Sequence, residues 1–135
     1  MITYRTGKDI DLDDMIELYV DSTLGERRPV DDRERMGRML EEADLMITAW
    51  EKALMVGISR CVTDWVYCTY LSDLAVRAEY QGQGIGKELV RLTREATPAA
   101  SVILLAAPAA VEYYPKIGMT RHDSAWVLWP GEQPV

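Results

Sequence analysis

Three glycines at alternate positions, Gly82, Gly84 and Gly86, separate a strand-like run from a helix-like run. The run before them, "YLSDLAV", is typical of a strand, and the apolar residues after them recur at helical spacing. A glycine-rich turn between a strand and a helix directs several backbone N–H groups and the positive end of the helix dipole toward one point. Glycine also permits positive φ and the close approach of a ligand. The segment therefore predicts either a phosphate or pyrophosphate site or merely close packing of the helix on the strand.

The glycine spacing argues against two common nucleotide loops. A GxGxxG fingerprint needs glycine where Lys87 stands, and a P-loop needs Ser or Thr where Glu88 follows that lysine. The segment also follows hairpin-like strands, whereas a dinucleotide fingerprint lies in a parallel βαβ unit. The sequence thus disfavours both readings.

Hydrophobic periodicity along the rest of the chain predicts an α/β protein with a mixed, mostly antiparallel sheet flanked by helices. We predict strands over residues 2–5, 45–50, 53–63, 65–76, 101–107, 119–123 and 125–129, and helices over 10–20, 31–43, 85–96 and 108–117. Asp31 or Asp32 is the expected N-cap of the second helix. Gly57 is a possible bulge, and the run "SVILLAA" is typical of a strand buried on both faces. No repeat or long linker divides the sequence, so residues 1–135 are expected to form one domain.

Composition narrows the class of protein. A chain of 135 residues with 48% hydrophobic residues can bury one core, and no apolar run reaches the ~18 residues of a membrane span. The polar, acidic N-terminus does not resemble a signal peptide, so a cytoplasmic location is expected. Residues 1–50 hold 13 Asp and Glu against 7 Lys and Arg, which accounts for −6 of the net charge of −7. This balance disfavours nucleic acid and suits either a cationic partner or ordinary solubility. Cys61 and Cys68 lack metal or redox spacing; we expect buried reduced thiols and no metal.

Two motifs together carry a family resemblance. The pattern Gln81-x-x-Gly84-x-Gly86 follows "LAV", and "AVEYYPKIGM" lies downstream. With the predicted order of elements, they resemble the GNAT superfamily, the Gcn5-related N-acetyltransferases. The resemblance implies acetyl-CoA as co-substrate, held by the end of a splayed, bulged strand and by the glycine loop. The implied cofactor-binding residues are Leu74, Ala75, Val76, Gln81, Gly82, Gln83, Gly84, Ile85 and Gly86.

The same resemblance implies the catalytic groups. Tyr114 matches the family's catalytic tyrosine; with a pKa of ~10 it is protonated at neutral pH and can return a proton to the departing thiolate. The alternative is a packed aromatic, which is the expected role of Tyr113. Asp73 lies on the strand that holds the thioester and is either the base, an acceptor ligand or a hydrogen-bonded strand aspartate. Ser72 stands where polyamine acetyltransferases carry glutamate, which disfavours a polyamine acceptor.

Other residues leave the acceptor open. Glu26, Asp31 and Asp32 suit a cationic acceptor, whereas Arg27 and Arg28 in the same segment suit an anionic group. Further positions depart from the motif or carry no clear role: Ala107 replaces a usual asparagine, His122 is expected on a solvent-facing strand, and core or dimer-interface aromatics are expected at Trp65, Trp126 and Trp129.

These inferences combine into one hypothesis. We predict an N-acetyltransferase that passes acetyl from acetyl-CoA directly to a small-molecule or peptide amine in a ternary complex. Covalent transfer through Cys68 is a variant of that mechanism, and a homodimer is possible. The alternative is a non-catalytic acyl-CoA sensor, which would not need the Tyr114 hydroxyl.

Overall fold

Five strands in the order β1-β2-β3-β4-β5 form one sheet in a computed structural model that describes all residues from Met1 to Val135. The first four strands are antiparallel to one another, and β5 runs parallel to β4. The elements are β1 Ile2–Thr6, α1 Leu12–Asp21, α2 Arg33–Glu42, β2 Leu45–Glu51, β3 Leu54–Thr63, β4 Cys68–Val76, α3 Ile85–Ala96, β5 Ser101–Ile103 and α4 Tyr113–Lys116. Short 3-10 helices lie at Leu24–Arg27, Ala78–Tyr80 and Pro108–Ala110. The predicted mixed α/β architecture is confirmed.

Side-chain caps and apolar stripes explain the first two helices. The Asp11 carboxylate accepts from the amide of Asp13 at the start of α1, and the Asp32 carboxylate accepts from the amide of Arg35 at the start of α2. Each cap satisfies a donor that the first helical turn leaves free. Both helices pack on one face of the sheet, where the core includes Met15, Leu18, Tyr19, Met36, Met46, Trp50, Met55 and Ile58.

The opposite face of the sheet is covered by α3. Its buried Ile85 and Leu89 join a second core with Leu45, Ile47, Ala49, Val56, Cys61 and Leu71. Gly57 lies beneath this helix: a Cβ there would stand 3.1 Å from a Leu89 methyl carbon and 3.2 Å from one of Ile85. The missing side chain at Gly57 therefore permits the close approach of α3.

Two bulges interrupt the pairing of β3. Ala49 pairs with Gly57 and Trp50 pairs with Met55, so Val56 is the extra residue, and the prediction that placed the bulge at Gly57 is wrong by one position. On the other side, Arg60 pairs with Asp73 and Cys61 pairs with Leu71, so Ser72 is an extra residue in β4. A bulge reverses the alternation of side chains, and beyond Ser72 the side chain of Asp73 lies on the α1 and α2 face.

Two predicted strands are shorter than expected, and two are absent. The third hairpin strand begins at Cys68 rather than at residue 65, because the Asp64 carboxylate accepts from the amides of Val66, Tyr67 and Cys68 and holds them in a turn. The strand predicted over 101–107 is only three residues long, and Ile103 is 52% exposed, so it is not buried on both faces. Residues 119–123 and 125–129 form no strand.

The chain divides into two compact units, residues 1–105 and 106–135. The first contains the sheet, both cores and α1 to α3. The second contains the Pro108–Ala110 turn and α4, after which Gly118 has a φ of 95° and no helix or strand follows. The helix predicted over 108–117 is thus two short pieces. No helix has the length and apolar character needed to cross a membrane.

Candidate active site

The glycine loop between β4 and α3 presents backbone amides to open space. Gly82 has a φ of 80° and Gly84 a φ of 83°, and a Cβ at either position would meet no atom within 4 Å. These left-handed conformations disfavour any residue with a side chain. Gly84 is the N-cap of α3, and no side chain caps this end of the helix. The first amides of α3 are therefore free to bind an anion, and the fit to a pyrophosphate is good.

The strand that leads into this loop has an open edge. β5 pairs with β4 only from Cys68 to Tyr70, and the sheet ends at β5. From Leu71 onward, β4 has a paired neighbour on its β3 side alone. An edge of this kind is open to a ligand, and the cofactor cleft that the family resemblance implies stays a prediction.

Strand alternation identifies the backbone groups on that open edge. The amide of Arg77 donates to the carbonyl of Val56 at 2.8 Å, so this pair is hydrogen-bonded, and the pairs at Gly57–Val76 and Ser59–Leu74 are not. The N–H and C=O groups of Leu74 and Val76 thus point away from β3. The Gln81 side chain donates to the Val76 carbonyl at 3.0 Å, which occupies that carbonyl and ties the glycine loop to the strand. The groups of Leu74 and the amide of Val76 remain for a ligand.

Asp73 directly precedes Leu74 in β4. Its side chain is fully buried on the face of the sheet that α1 and α2 cover. Its carboxylate accepts from the Tyr19 hydroxyl at 2.6 Å, from Arg28 Nε at 2.5 Å and from Arg60 Nε, with the Ser72 hydroxyl at 3.2 Å. Four donors use the lone pairs that a carboxylate offers. The geometry therefore favours the hydrogen-bonded strand aspartate over the base among the alternatives above.

The electrostatics of this cluster point the same way. Burial by itself raises the pKa of Asp73, but the charge and hydrogen bond of Arg60, the Tyr19 hydroxyl and the charge of Arg28 outweigh it, and the net pKa lies below its ordinary value. Burial lowers the pKa of Arg60, yet Asp73 reverses that effect and leaves it raised. Burial, followed by the charge of Asp73, raises the pKa of Tyr19 well above 10. Two cations thus share one carboxylate, and a carboxylate so stabilised is a poor proton acceptor.

Tyr114 lies in α4, in the second compact unit. Its side chain is half-buried, and its ring packs edge-to-face on Tyr113 with centroids 5.3 Å apart. Burial raises the pKa of Tyr114 above its ordinary value, and the neighbouring Tyr113 adds to the rise. The hydroxyl is therefore protonated at neutral pH, as a proton donor requires. Its catalytic role stays a prediction.

Several other predicted placements are corrected by the structure. Cys61 is buried, but Cys68 is exposed, so the expectation of two buried thiols is wrong for the second. His122 is exposed and lies outside any strand, with Nδ1 accepting from the Ser124 amide at 3.2 Å. Trp65, Trp126 and Trp129 are 45%, 92% and 60% exposed, so the core alternative is wrong for all three, and the dimer-interface alternative stays a prediction. Ala107 precedes the Pro108–Ala110 turn in an extended conformation.

The cations and the tyrosine that surround Asp73 were not predicted from the sequence. A charged residue inside the strand-like run "GISRCVT" was the available signal, because a buried arginine needs a partner. The partner of Arg60 follows only from the register of β3 and β4. Arg28 and Tyr19 reach the carboxylate from 45 and 54 residues away in the chain, a distance that no local pattern reports.

Comparison with known proteins agrees with the fold. The sequence model of the acetyltransferase (GNAT) domain matches residues 25–127, most of the chain. The chain is 29% identical to the uncharacterised N-acetyltransferase "ycf52-like" of Prochlorococcus marinus, over 79% of this chain and 63% of that protein. It is 25% identical to the uncharacterised N-acetyltransferase ycf52 of Pyropia yezoensis, over 89% of this chain and 71% of that protein. This chain thus spans less than two thirds of the Prochlorococcus relative.

A solved structure agrees as well. A GNAT family acetyltransferase from Streptococcus pneumoniae superposes with a TM-score of 0.79 at 25% identity, covering 96% of this chain and 97% of that chain. The open edge of β4, the glycine loop at the start of α3 and the matching domain model lead to one conclusion: the chain belongs to the GNAT acetyltransferase family.

Proposed function

We propose that residues 1–135 act as an acetyl-CoA-dependent N-acetyltransferase domain that transfers acetyl directly to a primary amine in a ternary complex. One observation carries the proposal: an unpaired β4 edge is followed, after a 3-10 turn and the glycine loop, by uncapped amides at the start of α3. An extended arm with amide groups fits the first feature and a pyrophosphate fits the second, and acetyl-CoA has both. Family membership supplies the reaction class.

Each residue then has a stated task. The backbone of Leu74 and Val76 binds the pantetheine arm, and the amides over residues 82–86 bind the pyrophosphate, since the Gln81 amide already donates to the Ala78 carbonyl at 3.3 Å. The acceptor ammonium first gives one proton to water, because Asp73 has no free lone pair and a low pKa. The neutral amine attacks the thioester carbonyl, and as the C–S bond breaks the Tyr114 hydroxyl gives its proton to the sulfur. The second proton leaves the new amide nitrogen and, through water, restores the Tyr114 hydroxyl.

The acceptor's charge preference follows from the segment between α1 and α2. Arg28 is committed to Asp73, and Asp32 is committed to the first turn of α2. The exposed charges that remain are those of Glu26, Arg27 and Asp31. Two carboxylates against one cation favour a small-molecule or peptide acceptor whose amine is protonated in solution.

A thiol-release assay with acetyl-CoA and a panel of amine classes tests the proposal. We expect at least one amine to release free CoA thiol and to gain one acetyl group by mass spectrometry. Tyr114→Phe should lower kcat about 10²-fold or more while acetyl-CoA binding measured by calorimetry stays unchanged. Tyr113→Phe is the matched control, since it removes the neighbouring hydroxyl, and its kcat should stay near wild type.

Two results would count against these assignments. Equal kcat values for Tyr114→Phe and Tyr113→Phe would remove the acid role from Tyr114. Tight acetyl-CoA binding without acetylation of any amine would favour a non-catalytic acyl-CoA sensor.

A further inference from the structure

The segment between α1 and α2 is tied to the sheet by one side chain. Arg28 donates to Asp73 Oδ1 at 2.5 Å, to the Ser72 carbonyl at 2.7 Å and to the Arg27 carbonyl at 2.8 Å. The other hydrogen bonds of residues 22–32 stay within the segment or join it to the ends of α1 and α2. Arg28 therefore makes the hydrogen bonds that connect this segment to β4.

The segment depends on such a tie to hold its shape. Thr23 has a φ of 71°. This left-handed conformation is unfavourable in free energy for any residue that has a side chain. Leu24 and Val30 add apolar contacts to the first core but are only partly buried. Apolar contacts have no preferred direction, so they do not fix the orientation of the segment as the hydrogen bonds of Arg28 do.

The tie ends at the bulge of β4. Ser72 is the bulged residue, and Leu74, two positions on, offers the backbone groups of the open edge. Under the proposed function the thioester lies along this edge, and an amine must approach it there. Arg28 thus fixes a segment from outside the sheet close to the place where the amine approaches the thioester.

Only arginine suits this geometry. A planar guanidinium bonds a carboxylate and a carbonyl at once in fixed directions, whereas a lysine ammonium is a single flexible point charge. The anchor is itself immobile, because Arg60 and Tyr19 hold the other Asp73 oxygen inside the core.

We propose that Arg28 is a positioning residue for the amine acceptor, and that by fastening residues 22–32 to the β4 bulge it sets the acceptor side of the site. This inference rests on the proposed function. Arg28 acts through the segment that it holds, and Asp73 is its anchor.

The test compares Arg28→Gln with Arg38→Gln. Arg38 is an exposed residue of α2 whose ion pair with Glu42 is 3.6 Å long, so its variant reproduces the change of charge without the tie. In Arg28→Gln the Asp73 carboxylate keeps Arg60 and Tyr19, and we expect the protein to fold. With an amine that the wild type acetylates, acceptor KM should rise about tenfold while kcat and the acetyl-CoA Kd change less than twofold. Arg38→Gln should match the wild type in all three.

Amide hydrogen exchange supplies a readout independent of activity. Exchange over residues 22–32 should be faster in Arg28→Gln than in Arg38→Gln, while β2 and β3 stay equally protected. Arg28→Lys keeps the charge but not the planar guanidinium, so it should give intermediate values of acceptor KM and of exchange. It replaces the glutamine variant if that variant does not fold.

The outcomes separate the two ideas. If the wild type acetylates amines and the variants at positions 28 and 38 share one acceptor KM, the positioning role is overturned. If the wild type acetylates no amine, the proposed function fails, and the exchange data then decide whether Arg28 holds the segment. Equal exchange in the two variants would overturn that as well.

Discussion

Asp73 is held at the centre of a cluster that carries more positive than negative charge. Arg28 and Arg60 both donate to its carboxylate, and the Tyr19 hydroxyl fills a further position. Taking away one partner of a buried ion pair is costly because it leaves the other charge without compensation. The stability of the β3–β4 region therefore depends on one ionised carboxyl.

We expect Asp73→Asn to lower the free energy of unfolding at pH 7 by about 3–5 kcal/mol, because two guanidinium groups lose their counter-charge. Urea denaturation of the wild type and the variant measures the difference. Arg33 with Asp13 provides a control, since this pair is exposed and Asp13→Asn should cost less than about 1 kcal/mol. A small effect at position 73 would show that the cluster is not the anchor described here.

The same residue predicts a dependence on pH. The pKa of Asp73 is lower in the folded protein than in the unfolded chain, where it is ~3.9. The carboxylate therefore contributes fully to the free energy of unfolding above pH ~3.9, and this contribution is lost as pH falls through the pKa of the folded state. The difference in melting temperature between wild type and Asp73→Asn should be largest above pH 5 and shrink below pH 4. A difference that stays constant down to pH 2.5 would contradict the lowered pKa.

At the scale of elements, the glycine loop and α3 act as one structure. Gly84 ends the loop in a left-handed conformation and begins the helix, and a methyl group there would enter the space that the proposal gives to pyrophosphate. The helix is in turn fixed on the sheet by its contact over Gly57. Loop and helix geometry therefore depend on two small residues for different reasons.

Gly84→Ala should weaken CoA binding about tenfold, equivalent to ~1.4 kcal/mol. The control is Gly131→Ala, since Gly131 has a φ of 90° and open space around it but lies outside the loop. Both variants pay ~1–2 kcal/mol of backbone strain, so their stabilities should fall alike while only the first loses CoA affinity by calorimetry. Equal CoA affinities would remove the loop from the cofactor site.

Gly57→Val should destabilise the protein by about 1–3 kcal/mol, because the added atoms overlap Leu89 and Ile85 and push α3 from the sheet.

We expect Gly37→Ala to have the opposite effect on stability. Gly37 lies inside α2, where a Cβ would meet a Leu12 methyl at an ordinary 3.5 Å, so the variant should gain ~0.5–1 kcal/mol. Thermal unfolding of both variants checks the two signs.

At the scale of the whole molecule, one group of exposed apolar side chains lies on the sheet and on the turn beside it. Val62, Tyr70 and Ile103 line a shallow cavity of about 410 Å³ on the sheet, and the adjoining turn exposes Trp65, Val66 and Tyr67. Asp64, the one charge in this stretch, is hydrogen-bonded to the turn. An apolar surface with a single charge is typical of an interface.

We expect this surface to pair two copies of the chain, giving a homodimer by light scattering. Because each copy has a net charge of −7, the copies repel each other at low salt, and raising NaCl from ~10 mM to ~150 mM should strengthen the dimer as the screening length falls from ~30 Å to ~8 Å. Val66→Asp should give a monomer, whereas Val20→Asp, at a 58% exposed position on α1, should not. A monomer at all concentrations and salts would refute the pairing.

Prediction from sequence was strongest where the cause is local. The Asp32 cap, the stripe of α3 and the glycine loop depend on neighbouring residues, and the structure has the elements where those patterns indicate. It failed where the cause is distant. The surroundings of Asp73 depend on a bulge at Ser72 and on three residues outside β4, Tyr19, Arg28 and Arg60, and the short β5 depends on where its pairing with β4 ends. Family resemblance supplied roles for Tyr114 and the loop that periodicity does not contain.

The open edge of β4 also exposes the protein to mispairing with foreign strands. Free amide and carbonyl groups on a strand are a template for aggregation, and proteins limit them with bulges, short runs and covering groups. Here the bulge at Ser72 and the Gln81 side chain on the Val76 carbonyl leave only a few groups unprotected. A molecule bound along this edge would cover them, so a co-substrate that occupies the cleft would also protect the folded chain from pairing with other strands.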